Sequence, residues 1–252
     1  MQTNGNYTVQ TDPLFCLAER TGQEWQLRFL VRRVDMKEEH LAYHFWIVLN
    51  TLLLLIFGRL LLHAAAVKFP NAVVLFLGPK GVGKTTLVAS LVTEGGTMLA
   101  EDHVHVRFDG KRGIVSGCNG RLRMTDETER FLFTSPLPGK TVSTGGVRKK
   151  ELDAKRFFPA KPHEDFPVHR LYFMSRGACL QTHHLHVQKT LLELISNTCQ
   201  FYRFARKEDY AWLLDLLSDL ARRVPSYSLG IPDDLNELDR VVAFVRETCQ
   251  VD

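Results

Sequence analysis

The chain has 252 residues, 45% of them hydrophobic, which suits one large domain or a domain with a modest appendage. Its formal charge of +4, from 32 basic and 28 acidic residues, is too mild and too scattered to argue for nucleic acid as a partner. Five cysteines (Cys16, Cys118, Cys179, Cys199, Cys249) lie far apart with no C-x-x-C pair, a pattern that predicts reduced thiols in a cytoplasmic protein.

The polar start MQTNGNYTVQTD lacks the basic and apolar regions of a signal peptide, and residues 1–22 carry little pattern. Trp25, Leu27, Phe29 and Val31 alternate with polar neighbours, which predicts a half-buried strand. Asp35 and Glu38 then resemble a capping box. Leu41, Phe45, Val48, Leu52, Leu55 and Ile56 follow helical spacing, and Gly58 is a natural stop. Phe45 to Gly58 is a run of fourteen uncharged residues that includes Asn50 and Thr51. A spanning helix needs about twenty, so the run predicts a buried helix and no membrane partner. Residues 1–58 therefore read as a strand–helix appendage and 59–252 as the main domain.

That domain opens with the apolar run Leu60–Val67, interrupted only by His63. Pro70-Asn71 turns the chain into Ala72–Leu77, a buried strand, and Thr85–Val92 reads as a short helix. Between them Gly78-Pro79-Lys80-Gly81-Val82-Gly83-Lys84-Thr85 matches the phosphate-loop pattern G-x-x-x-x-G-K-[ST] in full. Glycines let the backbone turn its N–H groups toward a phosphate at the positive end of the helix. Lys84 would reach the β- and γ-phosphates of ATP, the Thr85 hydroxyl would hold Mg²⁺, and Thr86 completes the binding segment. Gly95-Gly96 ends the helix, and Met98–Ala100 starts a strand that runs into Glu101-Asp102, seventeen positions after Lys84. So short a return predicts a strand parallel to the loop strand and close to it, with its acids opening beside the phosphates. Consecutive residues on a strand diverge, so one acid can address Mg²⁺ and the other the attacking hydroxyl.

Asp109-Gly110 predicts a hairpin turn, and 117–165 reads mostly as loops around a few short strands. Leu171–Met174 is a core strand, helical patterns occupy 188–197, 208–222 and 234–247, and Val224–Leu229 is extended. The N-K-x-D motif of G proteins is absent. Ser143–Gly146 only faintly matches a transporter signature, since Val147 stands where Gln is required.

LLLHAAAV, GPKGVGKTTL and MLAEDHV, in that order and spacing, resemble the catalytic core of the HPr kinase/phosphorylase family. GRLRMTDETERF, RLYFM and VPSYSLGIPDDLNELDRVVAFV look like HPr kinase-like proteins, some encoded with lasso-peptide clusters. The resemblance implies an α/β fold with a P-loop core of the HPr kinase C-terminal-domain type, a mixed central sheet and flanking helices. It implies an ATP- and Mg²⁺-dependent serine kinase acting on a peptide or small protein, and leaves room for a homo-oligomer. Lys84 and Thr85 keep their phosphate and magnesium roles. Glu101 matches the acid that takes the acceptor's proton, Asp102 the acid near the metal, and His63 the strand histidine near the transferred phosphate. Glu stands at 101 where the family has Asp, one methylene longer.

Each other candidate has a plainer reading. His63 interrupting an apolar strand also fits a satisfied core histidine. His103 and His105 could bind zinc with Glu101, though H-x-H alone is a weak signal. His183, His184 and His186 read as a solvated stretch. Arg148, Lys149 and Lys150 could close a basic loop over the triphosphate but read first as solvated charge, as do Arg121 and Arg123. Two further functions stay open: a small-molecule P-loop kinase, and a nucleotide-binding regulator without catalysis.

Overall fold

The computed structural model describes residues 6–32, 35, 37–110, 112–116, 121–144, 147–153, 164–199 and 207–249. Gly145 and Gly146, together with Cys118, lie outside them. The chain divides into two compact units, Met1–Leu61 with Cys199–Leu216, and Leu62–Thr198 with Leu217–Asp252. The division expected at 58/59 thus falls at 61/62, and the first unit also takes in residues 199–216.

Unit 1 holds an antiparallel sheet, ordered β1-β2-β3, with a helix packed on it. Its strands are β1 (Tyr7–Gln10), β2 (Leu14–Thr21) and β3 (Glu24–Val31), and the helix is α1 (Glu38–Phe57). Tyr7, Val9, Leu14, Cys16 and Ala18 point inward against Val48, Leu52 and Leu55 of α1. Trp212 of α5 (Lys207–Arg223) packs on the same cluster and within reach of Gly58, which is why residues 199–216 join this unit. Gly58 ends α1 in the left-handed conformation, φ 62°, as its position suggests. The capping box does not form, because Lys37 occupies the cap and makes no side-chain bond.

The helix is longer than the uncharged run. At 20 residues, it contains a segment, His40–Phe57, long and apolar enough to cross a membrane by length and composition. Asn50 and Thr51 return their polar groups to the carbonyls of Trp46 and Ile47, at 2.8 and 2.9 Å. Tyr43, Leu49 and Phe57 remain exposed, so the helix is buried along one side and not all round.

Unit 2 is built on a six-stranded mixed sheet, ordered β15-β16-β14-β6-β5-β7. Its members are β5 (Ala64–Lys68), β6 (Val73–Leu77), β7 (Thr97–Ala100), β14 (Arg170–Arg176), β15 (Gln181–His184) and β16 (Ser226–Ile231). β6, β14 and β16 run parallel, while β5 is antiparallel to both β6 and β7. β7 therefore runs in the direction of β6, as expected, but β5 lies between them. The alanines of β5 (Ala64, Ala65, Ala66) are fully buried. The apolar run Leu60–Val67 splits at His63 into β4 (Leu60–Leu62) and β5.

One face of this sheet, through Val74 and Phe76, is covered by α2 (Lys84–Thr93) and α6 (Leu238–Thr248). Their Leu87, Val88, Leu91, Val241, Val242 and Val245 form the main core. A second sheet pairs β8 (Val104–Asp109), β9 (Arg112–Ser116) and β13 (Asp165–Pro167), with the hairpin turning at Gly110, φ 64°.

The stretch expected to be mostly loop holds a third sheet, β10-β12-β11, made of Leu122–Met124, Val147–Leu152 and Gly139–Thr144. It also holds α3 (Asp126–Leu132), capped by Thr125 accepting from the Thr128 N–H at 3.2 Å. Arg148, Lys149 and Lys150 thus stand on a strand. Lys150 pairs with the buried Glu129 at 2.6 Å, and Arg123 and Arg121 pair with Glu151 at 2.9 and 3.0 Å, so these groups are not simply solvated charge. α4 (Val187–Asn197) completes the unit.

Candidate active site

Leu77 ends β6 at the carboxyl edge of the sheet, and the chain arches through residues 78–83 into α2. Three glycines make the arch feasible, with φ 147° at Gly78, 86° at Gly81 and 104° at Gly83. An L side chain rarely adopts such values. Space is short as well: a Cβ on Gly78 would sit 2.7 Å from the Met174 carbonyl oxygen.

Lys84 begins α2 and its Nζ turns back into the loop. It donates to the Gly78 and Pro79 carbonyls at 2.6 and 3.1 Å and lies 3.0 Å from His63 Nε2. Burial lowers the pKa of this ammonium to about 8, with Asp102 and Glu101 pulling the other way. The amine is thus held on carbonyls of its own loop, beside the histidine ring.

Thr85 Oγ1 donates to Glu101 Oε1 at 2.6 Å. Burial raises the Glu101 carboxyl to about 7, against the Thr85 hydrogen bond, which lowers it. Asp102 turns the other way. Both acids follow β7 in a bend and do not lie on the strand itself, and Asp102 has φ 68°. Their divergence comes from that left-handed residue instead of from strand alternation. Asp102 Oδ1 lies 3.4 Å from His63 Nδ1, and Oδ2 lies 3.9 Å from His103 Nδ1.

With Lys84 donating to Nε2, His63 carries its proton on Nδ1, toward Asp102. Burial, then Lys84, lowers its pKa, against Asp102, which raises it. His63 is partly exposed, with 30% of its side chain open, and its polar atoms face charged groups; it is not sealed in an apolar core.

Thr86 shares a hydrogen bond with Thr128 of α3 at 3.1 Å, which fixes the first turn of α2. Pro79, Lys80 and Gly81 form the exposed tip of the loop, while Val82 is buried beneath it.

One important residue carries no sequence signal. Asn197, at the end of α4, accepts from the Gly78 N–H through Oδ1 at 2.9 Å, and its carbonyl accepts from the His63 N–H at 2.7 Å. It thus anchors both the root of the loop and the histidine. Its contact with Gly78 spans 119 positions, out of reach of any local pattern. His103 and His105 do not complete a zinc site: among the described residues no group of three or more His, Cys, Asp or Glu could hold a metal ion. His183 and His184 lie on the edge strand β15, and His186 stands at the N-cap position of α4 without a side-chain capping bond.

The residues fit a magnesium nucleotide. Positive-φ glycines shape an anion cradle, and the adjacent Thr85 and Glu101 oxygens are the hard ligands such a cation takes together with phosphate.

The fold and the site define a mixed α/β protein with a glycine-rich strand–loop–helix at the carboxyl edge of its sheet, flanked by two acids and a histidine. Among solved structures, the chain is similar to the HPr(Ser) kinase/phosphatase from Coxiella burnetii. The likeness is loose: 14% identity and a TM-score of 0.40, covering 75% of this chain and 89% of that one. No protein-family profile matches the chain, and no curated protein matches it.

Proposed function

We propose that this chain is a P-loop phosphotransferase that moves the γ-phosphoryl group of ATP to a hydroxyl, a serine of a peptide or small protein. The observation that carries the reading is the convergence of Lys84, Thr85, Glu101, Asp102 and His63 at the open end of one glycine loop. Phosphoryl transfer asks a protein mainly for positioning and charge neutralisation, and these groups supply both.

The local contacts favour a division of labour opposite to the one the family resemblance implies. Glu101 is bonded to the Thr85 hydroxyl and belongs on the metal side. Asp102, beside His63 Nδ1, takes the acceptor's proton. When bound, Mg²⁺ would neutralise charge on the phosphate oxygens. Lys84 leaves the Gly78 and Pro79 carbonyls for phosphate, and His63 orients both Asp102 and the Lys84 amine.

The test is incubation of the full chain with γ-labelled ATP, Mg²⁺ and an array of serine-containing peptides. Wild type should label serine, Lys84→Ala should not, and Asp102→Asn should lose about a hundredfold or more while still binding ATP. ATP binding without transfer to any peptide would replace this reading with that of a nucleotide-binding regulator. Transfer to a small metabolite instead of peptide would make the chain a small-molecule kinase.

A further inference from the structure

β14 runs beside β6 in parallel register, Phe173 opposite Leu77, and continues to Arg176, three residues further along. Leu77 is where the phosphate loop begins, so Arg176 rises past the edge of the sheet on the flank of that loop. β16 is in register on its other side, Ile231 opposite Arg176, and then turns at Pro232.

The guanidinium is held from that turn. Nη1 donates to the Pro232 carbonyl at 2.9 Å, and Nε lies 3.3 Å from Asp233 Oδ1. Nη2 points to the loop: a Cβ built on Gly83 would come within 3.2 Å of it. Gly83 is therefore constrained twice, by its φ of 104° and by the arginine beside it. A plain structural tie between two strand ends would need only Nη1 and Nε. It would not need the third nitrogen against the loop.

Resting on the nucleotide-binding reading above, we propose that Arg176 is the second phosphate-binding cation of this site. It grips the triphosphate from the flank opposite His63 and Glu101. Sheet order sets the geometry. β5 and β7 bring His63 and the acids to one side of β6, where transfer takes place, and β14 brings Arg176 to the other. Arg176 thus meets the phosphates nearer the nucleoside, while Lys84 serves the end that is transferred. A guanidinium suits the task because its planar fork can keep the Pro232 carbonyl and still present a second edge to phosphate oxygens. Asp233 is 83% exposed and is the partner most readily exchanged for a phosphate.

The experiment is calorimetric titration of the full chain with Mg-ATP and, separately, with magnesium tripolyphosphate. Arg176→Ala should weaken both by about tenfold or more, the scale of a charge-assisted hydrogen bond, and Arg176→Lys should recover part of the loss. Asp233→Ala breaks the same structural tie yet should leave both affinities intact or raise them. Equal losses in Arg176→Ala and Asp233→Ala would reduce the arginine to a tie and overturn the proposal. A loss confined to ATP would move Arg176 to the nucleoside and overturn it too. Full affinity for both ligands in Arg176→Ala would sink the proposal while leaving the phosphate loop standing. A wild type that binds neither ligand would end the nucleotide reading itself, and this proposal with it.

Discussion

Replacing Glu101 by Gln should stabilise the metal-free protein above neutral pH and leave it nearly unchanged in acid. Burial is the cause. It raises the Glu101 carboxyl from 4.5 to about 7, although the Thr85 hydrogen bond, Lys149 and Arg123 all act to lower it. Below pH 4.5 the folded and unfolded chains both hold the proton, and the group contributes nothing. Between 4.5 and 7 the unfolded chain releases it and the folded one does not, so stability falls as pH rises. Above 7 the loss is complete and constant. The full displacement corresponds to about 3 kcal/mol, and the partial exposure of the Glu101 side chain reduces the expected effect to about 1–3 kcal/mol.

Gln keeps an acceptor for the Thr85 hydroxyl but has no charge to desolvate. Thermal melts of both proteins in EDTA at pH 5 and pH 8.5 test this, at about 2–4 °C per kcal/mol for a unit of this size. The variant should gain on wild type chiefly at the higher pH, with about a quarter of that gain at pH 5. Parallel pH profiles for the two proteins would refute the reasoning and place Glu101 in water. Mg²⁺ should then stabilise wild type at pH 8.5 and the variant much less, since a carboxylate is what the cation needs.

His63→Ala should lower phosphoryl transfer about tenfold to a hundredfold while moving the melting temperature little, because the ring is partly exposed and its partners are charged groups of the site. A large fall in melting temperature with unchanged turnover per folded molecule would return it to a structural role. Glu129→Gln should destabilise by about 1–3 kcal/mol at pH 7, since it leaves the half-buried Lys150 without its carboxylate. Burial pushes the Glu129 carboxyl up, but hydrogen bonds from Lys150 and the Leu137 N–H outweigh it and hold the group below its ordinary value. The stability it brings is therefore present at neutral pH and lost on acidification below about 4.5. Chemical denaturation at pH 7 and pH 3.5 should show the two proteins converging in acid.

The loop was legible because its demands are local: glycines at fixed steps, then Lys and Thr at the start of a helix. The acids were legible by distance along the chain, but their directions were not, since alternation on a strand gave way to a left-handed bend at Asp102. Arg176 was beyond reach because sheet order brings it to the loop, and Asn197 because a helix end meets the loop across 119 positions of chain. β1 and β2 were missed for a different reason. Their inward residues include the small Cys16 and Ala18 while Phe15 and Leu17 lie on the other face, which blurs the alternation. α3 carries few apolar residues, and its signal was Thr125 followed by Asp126 and Glu127, a cap with an acidic first turn. The opposite error came at Asp35, where a capping pattern stood two residues before the true cap, Lys37, and did not form.

Asp102 is the one residue other than glycine with positive φ among those described. That backbone shape costs an L-residue about 1 kcal/mol and glycine almost nothing. Aspartate codons lie a single base from both glycine and asparagine, the residues most at ease there. Any random library of this gene will therefore contain the easier residues cheaply and early. Screened for thermal tolerance alone, such a library should drift toward Asp102→Gly or Asp102→Asn; screened for phosphate transfer, it should hold the acid. The two selections would part company at one codon, and the direction of drift there would report what the site is kept for.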